Sequence, residues 1–213
     1  KMNILEKVKI KNDYNALVIV GIWNKGIFNK EWVSNFLLPK DNLTVEIPIN
    51  FDASHRVSND TLRINVIGNK LIFLPIKSED QIFEQIENLS IKIADYLPHT
   101  PVQSFGVNFI YEVDDKTGDR SDDEDKIKKI PNVHYKSKIT RHCFLLNNNL
   151  INLTKTINSD KTTIDLNFHF DIKDLVSYKG IINDNSILSL KKRALSLIEE
   201  LMNKESQEVA NAK

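Results

Sequence analysis

Residues 62–113 constrain the fold more than any other stretch, because they predict a hairpin, a helix and a long strand in succession. Two apolar runs lie on either side of Gly68-Asn69, and glycine accepts the positive φ that a two-residue hairpin turn requires. The second run ends at Pro75, which has no N–H to donate to a neighbouring strand. We therefore expect an antiparallel strand pair over 62–75.

A helix and a strand are predicted after this hairpin. Ser78 precedes Gln81 by the spacing of a capping box, and apolar residues then recur at helical spacing as far as Leu97. From Phe105 to Val113 the period changes to two, which gives the strand one apolar face and one mixed face. Each element has an apolar side to bury, so the stretch predicts a packed α+β domain.

The rest of the first half adds two strands and a short helix. An apolar run at 16–22 predicts a buried strand, and Asn29 is placed to cap a helix with Trp32 and Phe36 on its apolar face. Residues 43–51 alternate in polarity, and Pro48 restricts that strand to the edge of a sheet.

The second half predicts an antiparallel meander, because three strand-like runs are separated by Asn-rich and Ser-rich turns. The runs are 133–146, 150–157 and 163–173, and a final helix follows at about 186–203. We predict an α+β fold in which antiparallel or mixed sheets carry about three helices. Three ranges describe the organisation: a β-α-β-β-β-α-β half at 1–113, a charged loop or linker at 114–130, and the meander with its helix at 131–213. One continuous domain also satisfies this pattern.

Composition excludes several classes of function. Lys plus Arg and Asp plus Glu both total 29 in 213 residues, so an excess of basic residues for a polyanionic partner is missing. Cys143 is the only cysteine, which rules out an internal disulfide and a multi-cysteine zinc site, and fits a reducing, cytoplasmic setting. No run approaches about 18 apolar residues, so we expect no membrane span. We expect no cofactor, and Cys143 is predicted to pack as a small apolar residue.

The strongest candidate for chemistry is one face of the strand at 163–173. Polar residues alternate there with apolar ones, which places Asp165, His169, Asp171 and Lys173 on the same side. Two carboxylates beside an imidazole suit a divalent metal or acid–base catalysis, with Asp165, His169 and Asp171 as ligands. The alternative is the solvent-exposed face of an antiparallel sheet. Polar residues are needed there for contact with water, not for catalysis or metal binding.

The charged stretch at 114–130 predicts a docking surface or a solvated loop. Its candidate partner-binding residues are Asp122, Asp123, Glu124, Lys128 and Lys129. Basic residues continue through 126–141, which is the one feature that suggests nucleic-acid binding. The acidic run directly before it opposes phosphate binding, so nucleic acid is not the favoured partner.

The order of the elements can be compared with known families. The points of comparison are the hairpin Leu62–Leu74, the helix Ser78–Leu97, the strand Ser104–Tyr111, the strand Ile164–Asp171 and the last helix. In this layout the chain resembles an uncharacterised family of sporadically distributed bacterial proteins. That family has no settled activity, so the resemblance implies no catalytic residue. Its patchy distribution implies a mobile-element or defence-linked accessory protein.

These observations favour a non-enzymatic interaction protein or accessory subunit of a bacterial complex, whose partner is another protein or a second copy. Two alternatives remain open. One is a metal-dependent hydrolase or nuclease that uses the polar face of strand 164–173. The other is nucleic-acid binding through the basic segment at 126–141.

Overall fold

A wide antiparallel sheet organises the molecule. The computed structural model describes residues 7–40, 42–49, 55–113, 137–146, 149–158 and 161–211, with side chains as far as residue 203. Within these ranges ten strands join one sheet: β1 (Val8–Ile10), β2 (Leu17–Gly21), β3 (Thr44–Glu46), β4 (His55–Ser58), β5 (Leu62–Ile67), β6 (Lys70–Pro75), β7 (Val102–Val113), β8 (Ser137–Leu146), β9 (Asn149–Asn158) and β10 (Thr162–Asp171). Four helices accompany them in the same ranges: α1 (Lys30–Phe36), α2 (Asp80–Tyr96), α3 (Leu175–Asp184) and α4 (Ile187–Asn211).

Strand β7 joins the two halves of the sheet. The order across the sheet is β3-β4-β5-β6-β2-β7-β10-β9-β8, and β1 pairs with the far end of β7. One edge of β7 therefore pairs with β2 and β1, and the other edge pairs with β10. The pairings among the described strands are all antiparallel. The predicted α+β class is confirmed.

The predicted hairpin and its turn are confirmed. β5 and β6 pair from Leu62 opposite Pro75 to Ile67 opposite Lys70. Gly68 has φ = 55°, the left-handed conformation that favours glycine at this point of the turn. β2 then lies against the other edge of β6, so the hairpin forms the middle of the first half.

The helices cover the apolar face of the sheet. On β7, the Phe105 ring packs edge-on against Tyr178 of α3, and the Phe109 ring packs edge-on against Phe83 of α2. The Tyr178 hydroxyl donates a hydrogen bond to Ser90 Oγ on α2, which holds the two helices together above the strands. The core therefore lies between the sheet and these helices, and the alternate residues of β7 and β10 point to the opposite face.

One prediction about a helix start is wrong, and one helix is not predicted. The capping box is absent: α2 begins after Glu79, and the Ser78 hydroxyl donates instead to the carbonyl oxygen of Lys11. Helix α3, which the sequence does not predict, adds a fourth helix. It has a capping box of its own, in which Asp174 and Ser177 bond each other's backbone N–H groups. An acidic N-cap with serine three residues later supports a helix in the same way as the predicted Ser-x-x-Gln pattern.

Candidate functional site

The polar face of the sheet lies opposite the helices and holds the candidate residues Asp165 and His169. On β10, Asp165, Asn167 and His169 are half-exposed, whereas their neighbours Leu166 and Phe168 are buried in the core. β7 and β9 flank β10 and extend this surface on both sides. We use the term polar face for the side chains of Asn108, Ile110, Asn152, Thr154, Asp165, Asn167 and His169.

His169 and Asp171 are the only pair of the proposed metal ligands that meet among the described residues. Their Nε2 and Oδ1 atoms lie 3.3 Å apart. The Asp171 side chain is 93% exposed at the end of β10, and the His169 side chain is 33% exposed. Water surrounds the carboxylate, so this contact is expected to contribute little to stability.

Lys173 lies beyond the end of the strand, so the predicted strand 163–173 extends too far. β10 ends at Asp171, so the alternation of sides stops two residues before Lys173. The backbone N–H of Lys173 donates instead to Ser177 Oγ, at the start of α3. The lysine therefore lies in the connection that caps the helix.

Asp165 is separated from His169 by Asn167 on the same face. Four residues along a strand span about 13 Å, which is too far for both to bind one metal ion. Among the described residues, no three His, Cys, Asp or Glu side chains lie close enough together to bind a metal. Of the expected three-ligand set, the structure therefore brings together only the imidazole and one carboxylate.

Burial raises the pKa of the Asp165 carboxyl group. No described residue donates a hydrogen bond to it, so desolvation acts without compensation. A carboxyl group with a raised pKa in the folded state stabilises the fold below its unfolded pKa. That contribution is lost as the pH rises through the folded pKa.

Asp165→Asn is therefore expected to raise the free energy of unfolding at pH 7, because the amide is uncharged and fits the same space. The difference from wild type should shrink as the pH falls towards 3, where the carboxyl group is protonated in both states. Urea unfolding at several pH values measures this. Asp171→Asn, at an exposed position on the same strand, is the matched control. Equal effects of the two substitutions would contradict the role of burial.

A row of asparagine side chains crosses the polar face. Asn152 Nδ2 donates to Asn167 Oδ1 at 3.1 Å, and Asn167 Nδ2 donates to Asn108 Oδ1 at 2.7 Å. Asn108 Nδ2 then donates to the carbonyl oxygen of Asn15 at 2.6 Å. Gly106 leaves room for this row, since an added Cβ would lie 2.6 Å from Asn167 Nδ2. The row consumes the amide groups internally, which points to a structural role.

The two edge strands of the sheet, β3 and β8, differ in length. β3 lies at one end, as Pro48 predicts, but it has three residues and ends at Glu46, before the proline. β8 lies at the other end and has ten residues, and its second edge has no partner strand in the described ranges. Ile139 and Leu145 of β8 are 54% and 70% exposed. β8 is therefore the longer open edge.

Cys143 lies on this strand and is exposed, so the prediction that it packs in the interior is wrong. It pairs with Asn152, whereas His142 pairs with Leu153. Neighbouring residues of a strand point to opposite faces, as expected, so the imidazole does not activate the thiol. The exposure follows from the edge position of β8, which no local pattern reveals.

Trp32, Phe36 and Tyr96 form an aromatic patch that the sequence pattern does not predict. The Phe36 and Tyr96 rings lie 4.9 Å apart, and the Trp32 ring lies 5.7 Å from Phe36. Phe36 is 40% exposed, although its helical spacing predicts burial, and Tyr96 is 50% exposed. Tryptophan and tyrosine are frequent at the centres of protein interfaces, so this patch is a second candidate docking surface.

The charged candidates lie mostly outside the described residues. Asp122, Asp123, Glu124, Lys128 and Lys129 all fall in 114–136, for which no structure is described. Of the basic segment 126–141, the described part includes Lys138 and Arg141 on β8. Within the described part of the chain, no helix has the length and apolar composition needed to span a bilayer.

Comparisons with known proteins add no family. No protein-family model matches the chain, and no curated protein matches it. Among solved structures it is similar to a rolling circle replication initiator protein from Geobacillus stearothermophilus, with 9% identity and a TM-score of 0.30. That match covers 84% of this chain and 80% of the other. A likeness at this level carries no argument about fold or function.

Proposed function

We propose that this protein is a non-enzymatic interaction protein, an accessory subunit that binds a protein partner through the open edge of β8. The observation that carries the proposal is the length and exposure of that edge. β8 has ten residues, and alternate ones among them direct their backbone N–H and C=O groups to a side where no described strand pairs with them. An extended segment of a partner can satisfy such groups by adding a strand to the sheet.

The side chains of β8 support the same conclusion. Natural edge strands are usually guarded by charged side chains, by proline, by a bulge or by shortness. β8 has the first of these guards in Lys138 and Arg141, but not the others. β8 contains no proline, and its pairing with β9 runs without a shift from Ser137 opposite Asn158 to Leu146 opposite Asn149. Ile139 and Leu145 are the exposed apolar residues of the strand, and an added strand would cover them.

The test is affinity capture of the tagged 213-residue chain from its native host at moderate salt, with bound protein and nucleic acid both identified. We expect wild type to retain a protein partner in stoichiometric amount. Ile139→Lys with Leu145→Lys should lose it, because charges on an edge oppose strand addition. Ile49→Lys is the matched control, since Ile49 is a fully exposed apolar residue near β3.

The other outcomes are equally informative. A partner that survives the β8 substitutions but is lost with Tyr96→Ala would transfer the docking site from the edge to the aromatic patch. Captured nucleic acid, with binding that falls steeply as salt rises, would replace the proposal with the nucleic-acid alternative. A chain that is recovered without another protein and without an untagged copy of itself would overturn an interaction function.

A further inference from the structure

The chemistry of β8 also indicates which partner fits its edge. Successive residues alternate in direction, so Ile139, Arg141, Cys143 and Leu145 share the polar-face side. The strand has two basic residues, Lys138 and Arg141, and no acidic residue. A partner strand must therefore cover the two apolar side chains, Ile139 and Leu145. It must also place no positive charge opposite Lys138 or Arg141.

We propose that the partner is a second copy of this chain, which pairs β8 with β8 in antiparallel orientation about a twofold axis at His142. This rests on the proposed function, because it uses the same edge. The axis places Ile139 opposite the partner's Leu145, and the symmetry repeats this contact on the other side of the axis. Both exposed apolar residues of each copy are then covered by cross-strand partners.

The charges agree with the same register. With the axis at His142, Arg141 lies opposite the partner's Cys143, and Lys138 lies opposite the partner's Leu146. Neither Lys138 nor Arg141 therefore lies opposite a lysine or an arginine of the other copy. Like charges directly opposite each other are destabilising, so this register avoids the main cost of pairing a basic strand with itself.

Neighbouring registers are worse on these criteria. Directly opposite residues must lie on the same face, so the axis must pass through a residue of the strand and not between two residues. An axis at Arg141 places two arginines opposite each other. An axis at Cys143 leaves Leu145 opposite the partner's Arg141, and an axis at Thr140 does the same to Ile139. The pairing of Ile139 with Leu145 thus selects His142.

The first experiment measures the mass of the purified 213-residue chain over a range of concentrations by sedimentation equilibrium. We expect a reversible dimer, because a single strand pair is a small interface. Ile139→Lys with Leu145→Lys places like charges opposite each other twice and should raise Kd by about tenfold or more. Ile139→Lys with Leu145→Glu changes the same two positions but creates two opposite-charge pairs, and it should restore the dimer. Circular dichroism of each variant verifies folding.

A cysteine substitution tests the register directly. In the proposed register residue 142 lies opposite its own copy, so His142→Cys with Cys143→Ser should form a disulfide-linked dimer under mild oxidation. Directly opposite Cα atoms lie about 4.5–5.5 Å apart, within the roughly 4.4–6.8 Å that a disulfide spans. Wild type should not form a disulfide-linked dimer, because its thiol at Cys143 faces the partner's Arg141. A disulfide through Cys143 in wild type would overturn the register.

The outcomes separate this inference from the proposed function. A chain that is monomeric at all concentrations, but captures a different protein in a β8-dependent way, overturns self-pairing and leaves the edge as the docking site. A monomer that shows no β8-dependent capture overturns both. A dimer that persists with like charges at positions 139 and 145 overturns the β8 interface.

Discussion

Replacing Phe109 with alanine is expected to lower the free energy of unfolding by about 3–5 kcal/mol, the range typical of a buried aromatic residue. Phe109 is fully buried on β7, and its ring contacts those of Phe83, Phe168 and Tyr111. The substitution leaves a cavity between the sheet and α2 that rigid strands cannot fill. For a protein of ordinary stability, about 5–15 kcal/mol, this is a large part of the total.

Urea unfolding followed by circular dichroism measures this loss. The midpoint should fall while the dependence on urea stays unchanged, because the surface exposed on unfolding is nearly the same. Phe36→Ala is the control, since it removes the same ring from a half-exposed position in the aromatic patch. Equal losses for the two substitutions would show that Phe109 does not lie in the core.

Replacing Gly106 with alanine is expected to destabilise the fold by about 1–3 kcal/mol through overpacking and lost hydrogen bonds. The added Cβ would lie 2.6 Å from Asn167 Nδ2, so the amide must move. Movement breaks its hydrogen bonds with Asn108 and Asn152. The effect therefore reaches three strands from a single methyl group.

A double-mutant cycle separates this clash from any general cost of alanine in a strand. In an Asn167→Ala background there is no amide to displace, so adding Gly106→Ala should cost little, and the two effects should not add. Gly180→Ala makes the same chemical change in α3, where the new Cβ meets no atom within 4 Å. It should stabilise the protein, as glycine disfavours helix interiors. Additive effects of Gly106→Ala and Asn167→Ala would contradict the proposed clash.

The sequence predicts those parts of the fold whose signal is local. The hairpin at Gly68, the alternation along β7 and the alternation along β10 all follow from turn chemistry and a period of two, and all are confirmed. The false capping box at Ser78 shows the limit of the same approach. A serine hydroxyl has several acceptors within reach, and here the Lys11 carbonyl, 67 residues away in the chain, takes its hydrogen bond.

The candidate site depends on contacts that no local pattern contains. Asn152 and Asn167 are 15 residues apart, and Asn108 and Asn167 are 59 apart, so their row appears only after the strands pair. The exposure of Cys143 and the lack of a described partner strand on the second edge of β8 have the same origin. Strand order decides which strand ends the sheet, and periodicity within a strand does not report it.

The position of β7 between the two halves has a consequence for a broken chain. A cleavage anywhere between residues 113 and 137 would leave β7 in one fragment and β10 in the other, joined by the pairing of Thr162–Asp171 with Ser104–Val113. Helices α3 and α4, from the second fragment, would still contact α2 of the first. The two pieces would stay together as a noncovalent complex. A denaturing gel would therefore show two fragments, whereas a native gel would show one band at the position of the intact chain.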